Sequence, residues 1–160
     1  MLFQVHKHLS GFEVGKFLYC DKYPAETTDA ERVSFNDLLK GSDFLILCCA
    51  LTEETRGIFS MEAFKTMKKT AVLVNTSRGA VVNDDDLAVA LETGEIMGAG
   101  LDVTDPEPLP LDHKLFTLKN CIVLPHIGSA TIEARSAMSE LTAQNIIQAL
   151  NGDAMPAEIK

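Results

Sequence analysis

Short apolar runs alternate along the chain with segments whose apolar residues recur at helical spacing. Within each run the apolar residues are consecutive, a pattern typical of strands buried on both faces of a parallel sheet. Five runs predict strands, at residues 17–20, 44–49, 71–74, 96–101 and 121–124. Strands and helices that alternate at this spacing indicate an α/β domain with a mainly parallel sheet.

Four helices are predicted between and after these strands, at residues 35–40, 61–67, 84–92 and 131–150. Ser34, Ser60 and Asn83 precede the first three and are residue types that cap helix N-termini well. Gly41 and Gly94 follow predicted C-termini, where glycine readily leaves the helix. The last helix carries a wide apolar face, made by Ala134, Met138, Leu141, Ala143, Ile147 and Leu150.

Three consecutive acids, Asp84, Asp85 and Asp86, stand at the start of the third predicted helix. Such a cluster can bind a metal ion, but the helix dipole also favours acids in a first turn. With Asn83 as the cap, the second interpretation accounts for all three acids. We therefore predict no metal site.

The composition limits the classes of function. A chain of 160 residues is long enough for one domain with a core. The formal net charge of −9 argues against a nucleic-acid partner, because phosphate binding depends on clustered Lys and Arg. It still allows a small anionic ligand. No apolar run is long enough to span a membrane and the start has no signal-peptide pattern, so we expect a cytoplasmic protein without a membrane partner.

The four cysteines, Cys20, Cys48, Cys49 and Cys121, lie in or beside apolar runs, and none belongs to a Cys-x-x-Cys pair. They could be buried reduced thiols in strands, or they could serve metal or redox chemistry. We expect buried thiols, which suit a reducing compartment. The first residues, with His6 and His8, are expected to form a flexible terminus.

Three polar signatures follow apolar runs, at residues 75–79, 100–108 and 125–131. In parallel α/β sheets, ligands bind beyond the carboxyl ends of the strands. Asp21, the segment 75–78, Asp102 and His126 each follow a run directly. We therefore expect them to line one edge of the sheet.

Three side chains in these signatures could act on a small carboxylate. Arg78 offers paired planar donors that match a carboxylate, although an arginine at a strand end can also pair with a nearby acid. Glu107 is held between Pro106 and Pro108, but it could equally be an exposed acid in a rigid turn. His126 is of the type that transfers protons near neutral pH, and a nearby carboxylate would favour its charged form. A lone histidine at a strand end would otherwise be structural.

Asp21 ends the first predicted strand. In nucleotide-binding α/β domains, an acid at the end of the second strand accepts hydrogen bonds from ribose hydroxyls. Lys22 beside it could instead meet a 2′-phosphate. The residues therefore leave both NAD and NADP open.

Several stretches in a fixed order carry a resemblance to a known family: residues 51–57, 75–79, 99–104, 106–110, 118–120, 125–131 and 155–158. From about Leu9 to its last residue, the chain resembles the D-2-hydroxyacid dehydrogenases, most closely their glyoxylate reductase/hydroxypyruvate reductase branch. The resemblance implies an oxidoreductase that reduces glyoxylate or hydroxypyruvate to the D-2-hydroxy acid. It also implies that the full-length proteins are homodimers.

The resemblance implies a role for each candidate residue. Arg78 would orient the carboxylate and carbonyl of the substrate. His126 would protonate the carbonyl oxygen, and Glu107 would keep that histidine protonated. The cofactor, NADP or NAD with a slight preference for NADP, would supply hydride. Its binding positions would be Asp21, Lys22, Ala50, Thr76, Asp102 and Gly128.

The chain departs from the family pattern at its start. The family has a strand and a Gly-x-Gly-x-x-Gly turn before the position of Leu9, and Gly11 and Gly15 do not restore that turn. We therefore expect an incomplete Rossmann-type doubly wound parallel sheet that lacks its first strand and glycine-rich loop. Residues 1–8 would be unmatched, residues 9–128 a partial dinucleotide-binding domain, and residues 129–160 a C-terminal helix and tail that pack toward a substrate domain.

These departures bear on activity. Without the glycine-rich turn and an opposite wall of the cleft, the chain is expected to be a truncated form that is inactive alone. The alternative is a non-catalytic remnant or interaction module with the same fold.

Overall fold

The computed structural model describes residues 2–25 and 29–158, which divide into two units, Met1–Pro125 and His126–Lys160. In the first unit the described elements are α1 (Leu2–Leu9), β1 (Leu18–Tyr19), β2 (Glu31–Arg32), α2 (Phe35–Gly41), β3 (Phe44–Leu47), α3 (Met61–Thr66), β4 (Val72–Asn75), α4 (Asp84–Thr93), β5 (Gly98–Leu101) and β6 (Cys121–Val123). Two short 3₁₀-helices, Gly79–Val81 and Lys114–Thr117, lie between them. The second unit contains α5 (Ile132–Asn151).

The sheet is parallel, as predicted, and it is divided. β3, β4, β5 and β6 pair in that order, while β1 and β2 form a separate parallel pair. Among the described residues no strand pairs with the outer edge of β3. The register aligns Leu47 with Asn75 and Asn75 with Leu101. The segments that follow these three strands therefore begin at one edge.

The core covers one face of this sheet, which corrects the prediction of strands buried on both faces. Alternate strand residues such as Leu45, Leu73 and Leu101 are buried together with side chains of α2, α3 and α4. On the opposite face most strand residues are only half-buried, and Phe44 and Ile122 are 71% and 65% exposed. The runs are continuously apolar in sequence, but the core formed with α2, α3 and α4 takes in alternate strand residues only.

Helix starts follow the predicted caps in two of three cases. The side chains of Ser34 and Asn83 accept hydrogen bonds from the backbone N–H groups of Asp37 and Asp86. Ser60 forms no such bond. At α3, Oδ2 of Asp86 accepts the N–H of Met61 instead, at 2.9 Å. The first turn of α4 therefore stabilises the start of a neighbouring helix.

The N-terminal residues are helical, which corrects the expectation of a flexible terminus. The ring of His6 in α1 packs edge-on against Phe17, with centroids 4.4 Å apart, and its Nε2 lies 2.8 Å from Oδ1 of Asp29. The strand Glu31–Arg32 was not predicted, because two exposed charged residues carry no apolar signal.

The cysteines also differ from expectation. All four are free; Cys20 and Cys49 are exposed, and Cys48 and Cys121 are half-buried. Cys121 packs against the hydrophobic core, whereas Cys48 and Cys49 line a cleft after β3.

In the second unit, Thr131 caps α5 by accepting the N–H of Ala134, and Gly152 ends it with a φ of 77°. No residue of α5 is buried, so its predicted apolar face is open within this unit. The tail folds back, and the N–H of Ala157 donates to Oδ1 of Asn145 at 3.0 Å.

Candidate active site

The turn after β4 is built on the side chain of Asn75, which is completely buried. Its Oδ1 accepts hydrogen bonds from the backbone N–H and the hydroxyl of Ser77, at 3.0 and 2.8 Å, and its Nδ2 donates to the carbonyl of Arg78. A buried amide must find partners, because an unpaired one is costly. Sequence reasoning placed Asn75 at this edge but did not show that it shapes the turn.

This turn presents Arg78 to solvent. Nη1 donates to the Ser77 carbonyl at 2.7 Å, which steadies the side chain. Among the described residues, no acid forms an ion pair with Arg78. The structural alternative, an arginine neutralised by a neighbouring carboxylate, therefore has no support in the described part of the chain.

Arg78 lines a cleft of about 440 Å³ at the ends of β3 and β4, together with Cys48, Cys49, Ala50, Leu51, Thr76 and Ser77. Its size is in the range of small-ligand sites. The carbonyl of Ala50 accepts a hydrogen bond from Oγ1 of Thr55 at 2.7 Å, which closes the turn on one side. Arg78, Ala50 and Thr76 thus line one cleft.

Asp102 follows β5 and is buried, and its N–H donates to the carbonyl of Asn75 at 2.9 Å. The loop beyond it carries Glu107, whose side chain is exposed, and the peptide bonds Asp105–Pro106 and Glu107–Pro108 in this loop are cis. Oγ1 of Thr104 donates to the Pro106 carbonyl at 2.9 Å. The loop that carries Glu107 is therefore stabilised by a hydrogen bond within the loop.

Two contacts join the arginine turn and the helix after it to the glutamate loop. A Cβ on Gly79 would lie 1.9 Å from the carbonyl oxygen of Thr104, so only glycine allows this approach. Oδ2 of Asp84 accepts the N–H of Asp105 at 2.9 Å. The relative position of the segments that carry Arg78 and Glu107 is set by these two points.

Asp84 itself is buried, and its Oδ1 has no hydrogen-bond partner. Burial raises the pKa of Asp84 to about 6, with further upward contributions from Asp105 and Asp85; the Asp105 N–H and His113 oppose it. Asp84 lines a second cleft of about 330 Å³, between Arg56 and His113. Within the described residues, no group of three His, Cys, Asp or Glu side chains could hold a metal ion.

Asp21 and Lys22 follow β1, both exposed. Oδ1 of Asp21 accepts the N–H of Tyr23, and the charge of Asp21 contributes to raising the pKa of Cys49, so the ends of β1 and β3 are near each other. Arg32 was missed by sequence reasoning: its Nη2 donates to the carbonyls of Asp21 and Lys22, at 2.9 Å each. A cation on a two-residue exposed strand gave no signal beyond its charge.

His126 is the first residue of the second unit and Gly128 lies two residues further along; both are exposed. The backbone of His126 has a φ of 53°, the left-handed region that non-glycine residues rarely adopt. Such strain is concentrated at functional positions.

The residues present fit one half of a dinucleotide. The cleft with Ala50 and Thr76 offers a concave surface at the carboxyl ends of the strands, where such cofactors bind. A glycine-rich turn for the pyrophosphate does not occur in the 160 residues. The fit is therefore partial.

Comparison with known proteins agrees with this fold. Residues 3–128 match the model of the D-isomer specific 2-hydroxyacid dehydrogenase NAD binding domain. The chain therefore belongs to the D-isomer specific 2-hydroxyacid dehydrogenase family, and its fold is that of an α/β NAD-binding domain.

Three relatives illustrate the likeness. Human glyoxylate reductase/hydroxypyruvate reductase is 49% identical over 98% of this chain and 49% of its own length. The NADPH-dependent glyoxylate/hydroxypyruvate reductase of Sinorhizobium meliloti, solved with NADP and malonate, superposes with a TM-score of 0.92 at 27% identity, over 98% of this chain and 49% of that one. D-lactate dehydrogenase of Lactobacillus jensenii, solved with NAD⁺, gives 0.89 at 27% identity, over 98% and 52%. The chain thus spans about half the length of the relatives it matches.

Across residues 2–25 and 29–158, no helix combines the length and apolar character that crossing a membrane requires.

Proposed function

We propose that this chain carries the catalytic face of a reductase that converts small 2-oxo acids, glyoxylate or hydroxypyruvate, to D-2-hydroxy acids with NAD(P)H. The observation that supports this most is Arg78. It is exposed at a cleft of suitable size, on a turn fixed by a buried amide, and it has no acidic partner among the described residues. A guanidinium so placed is prepared to bind a carboxylate.

Each residue then has one task. Arg78 binds the substrate carboxylate and orients the carbonyl. His126 gives a proton to the carbonyl oxygen, and Glu107 favours the charged form of that imidazole. Ala50, Thr76, Asp102 and Gly128 hold the nicotinamide side of the cofactor. The cofactor, when bound, supplies the hydride.

For the adenosine side, Asp21 would accept hydrogen bonds from ribose hydroxyls in NAD, while Lys22 and Arg32 would favour a 2′-phosphate in NADP. The two cations outnumber the acid, which supports a preference for NADP. In a chimera in which this chain replaces the matched half of human glyoxylate reductase/hydroxypyruvate reductase, titration with NADPH and NADH tests this preference. There Arg32→Ala should weaken NADPH binding without affecting NADH. Equal loss for both cofactors would contradict the assignment.

We propose that the 160 residues alone do not sustain turnover, because the pyrophosphate lacks its glycine-rich turn. In this proposal residues 9–128 form a partial dinucleotide-binding domain, and residues 129–160 pack toward a substrate domain. Sub-millimolar NADPH binding by the purified chain would contradict it. Binding too weak to measure, with the chain folded by circular dichroism, is the expected result, and it also leaves the non-catalytic interaction module as the alternative.

A chimera separates these functions. This chain would replace the matched half of human glyoxylate reductase/hydroxypyruvate reductase, and NADPH-dependent reduction of glyoxylate would be followed at 340 nm. The chimera should be active, and His126→Ala should lower kcat by about 10²- to 10⁴-fold while cofactor affinity stays the same. A folded chimera with equal turnover in both forms would exclude His126 as the acid.

Glu107→Gln in the same chimera should act through His126. Without the carboxylate the imidazole loses its proton at lower pH, so the falling limb of kcat against pH should move to more acidic values. An unchanged profile would contradict the pairing.

We further propose a cytoplasmic location. We also propose that the full-length protein is a dimer, which light scattering after size exclusion would test.

A further inference from the structure

We propose that Cys48 and Cys49 form a two-thiol binding site for monosubstituted arsenic(III) compounds, located in the cleft beside Arg78. The two residues are adjacent in sequence directly after β3, and both line the cleft. Cys49 is exposed and Cys48 is half-buried, so a ligand can reach both. The proposed reduction makes no use of either thiol.

The thiols are close enough to interact electrostatically. Burial raises the pKa of Cys48, and Cys49 adds to that rise. Partial burial of the thiol also raises the pKa of Cys49, its own backbone hydrogen bond lowers it, and smaller effects of Asp21 and Ser77 raise and lower it, respectively. At neutral pH both groups are therefore protonated thiols, which are poor nucleophiles toward alkylating agents and peroxides.

Arsenic(III) chemistry suits protonated pairs. An arsenoxide, R–As=O, condenses with two thiols to give R–As(S–Cys)₂ and water. Two As–S bonds form, the As–O bond breaks, and both thiol protons leave in the water, so nothing is oxidised or reduced. A ring closed by two bonds persists where a single As–S bond would exchange with free monothiol, because the second bond forms within one molecule.

The number of protein ligands at this site favours monosubstituted arsenic(III) compounds over metal ions. Zinc prefers four protein ligands in a structural site. Among the described residues no three His, Cys, Asp or Glu side chains are placed to hold a metal. Arsenic with one organic substituent needs only two thiolates, and soft ligands such as thiolates suit a soft centre.

The other cysteines serve as internal controls. Cys20 and Cys121 each lack a neighbouring cysteine in sequence, and burial raises the pKa of Cys121 to about 11. A lone thiol can contribute one As–S bond only. Excess glutathione should therefore remove arsenic from Cys20 and Cys121 but not from the pair.

The experiment treats the 160-residue chain with phenylarsine oxide in excess glutathione and measures intact mass. One phenylarsenic group should remain bound in the wild type, Cys20→Ser and Cys121→Ser, and it should be lost in Cys48→Ser and Cys49→Ser. Ethanedithiol, which offers its own pair, should release it. No retained adduct in the wild type, or retention in either Cys48→Ser or Cys49→Ser, would overturn the proposal.

¹⁵N NMR of the wild-type chain tests whether the arsenic adduct lies in the cleft. The adduct should shift the amide signals of Ala50, Leu51, Thr76 and Ser77 while the spectrum stays that of a folded chain. Loss of signal dispersion, or shifts elsewhere only, would refute a site in the native cleft. The adduct should also compete with the dinucleotide, an expectation that rests on the proposed function. In the chimera, a retained adduct with unchanged NADPH affinity would reject this competition but not the two-thiol site.

Discussion

Oδ2 of Asp84 accepts the backbone N–H of Asp105 at 2.9 Å and thereby ties the start of α4 to the loop that carries Glu107. The bond comes at an electrostatic cost, because the carboxyl group is buried and its other oxygen has no hydrogen-bond partner. The protonated form of Asp84 is therefore favoured by folding.

The stability of the chain should consequently depend on the ionisation of Asp84. Folding raises the pKa of Asp84 from 3.8 to about 6. The folded state thus binds the proton more tightly, and this stabilisation is present below pH 4 and lost as the pH rises through 6. At about 1.4 kcal/mol per pKa unit, the loss is about 3 kcal/mol. Urea unfolding at pH 4, 5, 6 and 7 measures it.

Asp84→Asn should remove this decline in the free energy of unfolding between pH 4 and 7. Asp85→Asn is the matched control, because it removes the same formal charge at the adjacent, exposed position. Parallel stability profiles for the wild type and Asp84→Asn would show that Asp84 does not titrate as described.

Gly79→Ala should disrupt the approach of the arginine turn to the glutamate loop. Its Cβ would meet the backbone of Thr104 at 1.9 Å, and backbone cannot move aside as a flexible side chain does. We expect a loss of at least about 2 kcal/mol in the free energy of unfolding. Gly100→Ala on β5 is the control, since nothing lies within 4 Å of its added Cβ, and equal losses in the two variants would contradict the steric argument.

Asn83→Ala and Ser60→Ala should differ, although both residues precede helices. Asn83 accepts the N–H of Asp86, so its loss should cost about 1 kcal/mol. Ser60 makes no capping bond, and its replacement should stay within about 0.5 kcal/mol. Thermal unfolding of the two variants checks this. A larger loss of stability in Ser60→Ala than in Asn83→Ala would refute the cap assignment.

The sequence predicted the positions of the strands better than it predicted which of their faces are covered. The runs at β3, β4 and β5 were recognised because short runs of consecutive apolar residues are typical of strands in a parallel sheet, and their order placed Thr76, Arg78 and Asp102 at one edge. The exposure of Phe44 and Ile122 was not foreseen, since apolar character does not say which face a helix covers. The partners of Asn75 and Asp84 lie two or more residues away through folded turns, and residue type alone does not reveal them.

Replacement of His126 should give different stabilities with glycine and with alanine. At a φ of 53° a Cβ is unfavourable, so His126→Gly should be more stable than His126→Ala by about 1 kcal/mol. Both variants lack the imidazole, and the comparison therefore isolates the backbone. Equal melting temperatures would show that this conformation carries no strain.

The same backbone angle sets a limit on engineering. Any redesign of this chain that optimises thermal tolerance alone would favour glycine or asparagine at position 126 and so delete the proposed proton donor. A search for hardier variants should hold that position fixed and seek its gains in places such as helix caps, where backbone preference and chemistry do not conflict.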